Sequence, residues 1–290
     1  MHIKLSHQDI TLIFLVITIA LSRLSSIIAS KFVNFVWKWL LCLSTCTFLT
    51  FALSIFTDHS RPLFVLFASS FLGYCLIESI HIWLVIGRYS KFDAPLFAKY
   101  THEEDKLVWP ARKTFGKIRR ALAKSEFKFA TTLLVRVKAM SVMSSPIFYS
   151  KEGDIRLQLI FSHIGTRRTL VNCILISHMR SGAIFVTHNL QAPIAAFYVP
   201  PFEACQRQFS AVKNLINIHV KRIKKSPKKA LCLCGENCLQ TINDEQSKLE
   251  EANIAHGYCE LVDGRANTTI SFFGRYRLWV KTLLSGYFGL

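Results

Sequence analysis

Three apolar runs occupy residues 1–87, at about Ile10–Ile28, Val33–Phe56 and Leu63–Gly87. Each is long enough to cross the roughly 30 Å hydrocarbon layer as a helix, which takes about 20 residues. Inside lipid a backbone must satisfy its own hydrogen bonds, so helices are what such runs form. The joints are short, Ala29–Phe32 and Thr57–Pro62. Arg23 interrupts the first run and no small-residue cleavage motif follows it, so it reads as a retained span rather than a signal peptide. Ser25, Ser26, Ser44, Thr45, Thr47, Ser69 and Ser70 are residues suited to helix packing in lipid.

Charge divides the chain at the same place. Residues 1–87 hold five of the 36 Lys and Arg and three of the 18 Asp and Glu, so residues 88–290 carry 31 bases against 15 acids, a net of +16. A 51% hydrophobic content with a mean hydropathy of +0.31 excludes a disordered chain. With only 19% charged residues, the composition also argues against an ordinary soluble enzyme. Arg88, Lys91 and Lys99 directly follow the third run, which places the basic region on the cytosolic side and the N-terminus outside. Nine cysteines, an odd number, suit a reduced compartment. The expected segments are a short exposed N-terminus (1–9), a three-helix transmembrane domain (10–88), a juxtamembrane amphipathic link (89–128) and a cytosolic β-sandwich (129–290).

In the link, Arg112, Lys113, Lys117, Arg119, Arg120 and Lys124 accompany Phe115, Ile118 and Leu122 at helical spacing. This fits an amphipathic helix on an anionic leaflet, each base being worth about 1 kcal/mol there; a solvated helix face fits it too. Beyond it, Phe129–Ala139, Ile155–Ile164, Thr169–His178, Ala183–His188 and Ile194–Val199 have strand composition, with breaks at Ser144–Asp154, Gly165–Arg168, Arg180–Gly182 and Pro200–Pro201. Short strands at this spacing predict a β-sandwich. Ser210–Ile223 fits a helix or a strand, Glu245–Glu251 a short helix or loop, and Thr268–Val280 a strand.

Lys221, Arg222, Lys224, Lys225, Lys228 and Lys229 form the densest basic cluster. It suits phosphate contacts with RNA or lipid headgroups, or is the solvated tip of a hairpin. Cys232, Cys234 and Cys238 are weak zinc candidates, their spacing lacking a two-plus-two knuckle; strand cysteines facing inward explain them as well. Glu78 and His81, at i and i+3 in the third run, share a helix face. Ionisable groups at membrane depth mark either an ion path or a polar contact between helices, for instance with Lys38 or a serine. No phosphate-binding glycine loop, nucleophile elbow or paired metal-binding histidines occur, so no catalytic residues, metal or cofactor are expected.

One stretch carries a family likeness. Tyr258–Leu278, YCELVDGRANTTISFFGRYRL, resembles the end of the inner domain of the membrane (M) proteins of coronaviruses and related nidoviruses. The matching features are Tyr258, the Asp263-Gly264 turn, Phe272-Phe273 and Arg275-Tyr276-Arg277; Phe35–Leu41 also resembles that family's Trp-rich second helix. The family's Trp- and Ser-rich motif after the third span is replaced here by Gly87–Pro95. The resemblance implies three membrane helices, an inner β-sandwich with an aromatic strand at its end, and a structural role. It implies a homodimer that forms lateral assemblies in ER/Golgi and virion membranes, organises budding, and engages nucleocapsid protein or RNA, anionic lipids and other envelope proteins. Arg275 and Arg277 join the basic cluster as expected contacts. The alternatives are a three-pass viroporin, motivated by Glu78 and His81, and a bacterial membrane effector with a nucleotide- or RNA-sensing domain.

Overall fold

A computed structural model gives the fold. It describes residues 16–17, 19–20, 31–56, 61–90, 96–97, 99–102, 109, 113–138, 141–164, 168–190, 197–207, 210–227, 229–233, 237–261 and 268–287. The chain forms two compact units, Met1–Ser90 with Arg275–Leu290, and Lys91–Gly274.

The first unit is helical. Helices α1 (Lys31–Phe56) and α2 (Leu63–Ser90) form an antiparallel hairpin. Two stretches within them, Phe35–Phe56 and Leu63–Arg88, are long and apolar enough to cross a membrane, and only 28% and 11% of them is covered by the rest of the protein. The core helix of a soluble protein would be mostly covered, whereas here Phe48, Leu72, Leu76 and Ile77 face outward. Polar residues in these helices satisfy themselves locally. The hydroxyls of Thr45, Thr50 and Ser70 donate to the carbonyls of Leu41, Cys46 and Leu66 at 2.7–2.8 Å, and Thr50 also meets Ser70 across the hairpin at 3.2 Å. The third expected span, Ile10–Ile28, lies almost wholly outside the described residues. Two such helices, not three, are present among the described residues.

The second unit is built on one antiparallel sheet, in the order β1 (Tyr100–His102), β2 (Lys128–Lys138), β3 (Ser141–Tyr149), β4 (Arg156–Ile164), β5 (Arg168–His178), β6 (Ile184–His188), β7 (Phe202–Gln206), with only β7 running parallel to its neighbour. The expected sandwich is therefore corrected to a single seven-stranded sheet with helical layers. Strand alternation shows why. On one face Phe148, Leu157, Leu159, Phe161, Cys173 and Leu175 pack against α3 (Lys113–Lys124) and α4 (Val212–Lys225). On the other, Leu133, Ile147 and Tyr149 pack against α5 (Cys238–Ala255). Helices cover the apolar faces that a second sheet would otherwise have to cover.

Several boundaries move accordingly. The break expected at Ser144–Asp154 is largely strand β3, whose residues Ser145–Tyr149 are buried. Of the strand expected at Ile194–Val199, residues 197–199 are not strand, and the edge strand β7 comes after Pro200-Pro201. Glu245–Glu251 lies within the 18-residue helix α5, whose Asn237 side chain accepts from the Gln240 amide as an N-cap. Thr268–Val280 divides into β9 (Thr268–Ile270), paired with β8 (Cys259–Leu261), and a helix α6 (Phe272–Tyr287). Phe272 and Phe273 thus open a helix, where the family resemblance implied a strand.

Candidate functional site

The link helix and the basic cluster, about a hundred residues apart in sequence, are brought together as α3 and α4 on one face of the sheet. Each is amphipathic, and each spends its apolar side on the core: Phe115, Ile118 and Leu122 from α3, Val212, Leu215 and Ile216 from α4. The apolar face expected to enter a leaflet is buried in protein instead. Its outward residues are cationic. Lys117, Arg119, Arg120 and Lys124 on α3 and Lys213, Lys221, Lys224 and Lys225 on α4 are exposed, and neither helix contains an acidic residue. Arg119 lies over the Trp109 ring at 6.0 Å, and Arg120 Nε donates to the Gly116 carbonyl. Helices packed on a common layer sit about 8–10 Å apart. The bases therefore form one field; at a rise of about 1.5 Å per residue, Lys117 to Lys124 spans about 10 Å along α3 and Lys221 to Lys225 about 6 Å along α4.

Arg222 has a different task. Its Nη1 donates to the Val186 carbonyl at 2.7 Å and to Thr187 Oγ1 at 2.8 Å, its Nη2 donates to the Glu203 carbonyl at 2.7 Å, and the group lies 5.0 Å over the Phe185 ring. It bolts α4 to β6 and β7. Ser177 Oγ gives its one proton to the Asp154 carbonyl and so accepts from His219 Nε2, which leaves Nδ1 of the neutral ring to accept from Thr187 Oγ1 at 2.9 Å, an oxygen that also accepts from Arg222. The imidazole then carries its proton on Nε2 and donates to Ser177 Oγ at 3.1 Å, which donates to the Asp154 carbonyl at 2.7 Å. Burial, reinforced by the Arg222 guanidinium, holds the His219 imidazole down to about 3. A neutral, fully engaged ring of this kind is a structural bolt.

On the opposite face Glu245 of α5 receives Arg156 Nη2 and, at 2.7 Å, His178 Nε2. Burial would raise the Glu245 carboxyl, but Arg156 and His178 outweigh it and hold it below its ordinary value. Asn243 extends the attachment, its side chain pairing with both backbone groups of Tyr100 at 2.9 and 3.1 Å. These contacts fasten α5 to the sheet.

In the first unit Glu78 faces Lys38 at 3.8 Å and accepts from the Tyr287 hydroxyl, which also lies 3.1 Å from that of Tyr74. Lys38, Glu78 and His81 line one cleft with Trp37 and Tyr74. Glu78 thus makes the helix-to-helix polar contact that its position allowed, and Tyr287 of α6 is a further partner that helical spacing in the third run could not reveal.

The remaining expected residues distribute as follows. Lys229 is exposed just beyond α4, while Arg112, Lys228 and the Lys113 side chain lie outside the described residues. Arg275 and Arg277 lie on α6 in the other compact unit. Cys234 is outside the described residues, and no group of three His, Cys, Asp or Glu positioned to hold a metal occurs among those described. Cys232 is exposed and outside any strand, and burial pushes the Cys238 thiol up. No protein-family model, curated protein or solved structure matches this chain.

Proposed function

We propose that this chain is a membrane-anchored structural protein whose basic sheet unit gathers a polyanion at the bilayer surface. In its fuller form this is the role of a viral envelope matrix protein. It homodimerises in ER/Golgi and virion membranes, holds its sheet unit on the cytosolic or intravirion side, and recruits RNA or nucleocapsid with other envelope proteins and anionic lipid. The observation that carries the reading is the acid-free cationic field on α3 and α4. Exposed lysines and arginines on two helices meet phosphates by charge, without base readout. The buried histidine and carboxylate are fully used in holding helices to the sheet, which favours a structural over a catalytic role.

Fluorescence anisotropy of labelled single-stranded RNA against the detergent-solubilised chain tests this across a salt series. Binding should weaken log-linearly with salt, each lost phosphate contact lowering the slope by about 0.7. Reversal of Lys117, Arg120 and Lys124 should lower that slope, and so should reversal of Lys221, Lys224 and Lys225. Salt-independent binding, or binding unchanged in both variants, refutes the assignment. A channel is the second reading, favoured by the cleft that Lys38, Glu78 and His81 line. Ion flux in proteoliposomes that disappears with Glu78→Gln supports it, and no flux from folded protein removes it.

A further inference from the structure

Helix α6 ends among the apolar helices. Tyr287 donates to Glu78, its carbonyl accepts from Trp39 Nε1 at 3.1 Å, and Lys38 Nζ lies 5.2 Å from the centre of its ring. Eight residues earlier Trp279 Nε1 donates to the carbonyl and hydroxyl of Ser79 at 3.3 and 3.2 Å. Gly286 has no side chain where one would collide with the Lys38 ammonium. The C-terminal segment is therefore tied to both α1 and α2, at the level of their one ion pair among the described residues.

We infer that α6 is a lipid-embedded element that does not cross the bilayer: Trp279 and Tyr287, about 12 Å apart along it, meet the adjacent residues Ser79 and Glu78, so it lies across α2 at one depth, near the Lys38–Glu78 pair. The inference rests on the membrane reading of α1 and α2 given above. Five features carry it. With 16 residues the helix is about 24 Å long, short of the roughly 20 residues a crossing takes. Its polarity is graded: Arg275, Arg277 and Lys281 fall in its first ten residues, and none of its last six is charged. Tyr276 and Trp279 supply the amphipathic rings that collect at headgroup level, and the long cations beside them snorkel to water. Phe272 and Tyr276 are 72% and 48% exposed and Leu284 is 40% exposed, so the helix carries outward apolar surface of its own. Finally, a carboxylate held among apolar helices is costly unless paired. Tyr287 supplies Glu78 with a hydroxyl there, which gives the last turn a reason to sit at that depth. The consequence is that Lys91–Gly274 is anchored at both ends, held to the bilayer by two attachments and not by one stalk.

Single-tryptophan variants of the full chain, the other four tryptophans changed to Phe, separate this inference from the one beneath it. Trp39 reports α1, Trp279 reports α6 and Trp109 reports the sheet unit. In vesicles of phosphatidylcholine with brominated acyl chains, Trp279 should lose as large a share of its emission as Trp39, while Trp109 is unaffected. If Trp39 is quenched and Trp279 instead behaves like Trp109 and yields to aqueous iodide, the assignment of α6 is overturned alone. If neither is quenched, the membrane anchor falls and α6 with it. The unaltered chain gives a second readout: photoactivated diazirine-acyl lipid should label peptides from Phe272–Tyr287, and label confined to residues before Ser90 would overturn the inference.

Discussion

His219 makes the second unit sensitive to acid in a window of its own. The ring is buried and neutral, held at about 3, whereas the unfolded value is 6.5. A base with a depressed folded value binds its proton only on unfolding, so its contribution is intact above pH 6.5 and is lost as pH falls towards 3. The slope is about 1.4 kcal/mol per pH unit, which amounts to about 2.7 kcal/mol between pH 7.5 and 4.5. Glu245 does not confuse this window. Its carboxyl is held below the ordinary 4.5, so its contribution is lost only below that pH. The assay is urea unfolding in nonionic detergent of the full chain with Trp109 as its one tryptophan, the other four changed to Phe, followed by the emission of that residue, which packs against Phe115, Phe148 and Phe161. His219→Gln keeps a donor for Ser177 but cannot titrate, and leaves Thr187 short of an acceptor at a cost of about 1–3 kcal/mol at pH 7.5. The gap between wild type and variant should then close by about 2.7 kcal/mol on going to pH 4.5. Parallel losses in the two proteins would refute the neutral-bolt assignment.

Further predictions follow from the same contacts. Glu245→Gln strands the buried Arg156 charge and should cost about 3–5 kcal/mol in urea unfolding; the double change Arg156→Met, Glu245→Leu should recover part of it. Gly274→Ala puts a methyl group against the Tyr258 carbonyl and 2.8 Å from Ile270 Cγ2. That overpacking should cost about 2 kcal/mol and lower Tm by about 4–8 °C in a thermal melt. Charge reversal at Lys117, Arg120 and Lys124, all exposed, should leave the far-UV circular dichroism unchanged while altering polyanion affinity.

Strands β2, β4, β5 and β6 were legible because β-branched and aromatic residues run unbroken between turn residues. The layering was not. In α5 the sequence QTINDEQSKLEEAN has few apolar residues among many polar ones, because the side it buries is half polar, with Glu245 and Asn253 beside Ile242 and Leu249. An apolar-periodicity argument has little to detect there. In α6, the Phe, Tyr, Trp and Thr content of Thr268–Val280 reads as strand, while the helix is held by tertiary contacts from Trp279 and Tyr287. The basic residues were visible one segment at a time. Their union on α3 and α4 was not, because only the fold sets Phe115 and Leu215 in one core. Arg222 shows the reverse: by composition it belongs to the cluster, yet its guanidinium is spent on Val186, Thr187 and Glu203.

The most direct test of a membrane-tethered, polyanion-gathering surface is co-flotation of RNA with reconstituted protein. Wild-type proteoliposomes of neutral lipid should carry RNA to the top of a density gradient at low salt and release it at high salt. Vesicles bearing the combined α3 and α4 charge reversals should float without RNA. RNA left at the bottom with wild type, or carried equally by the reversed protein, would contradict the account.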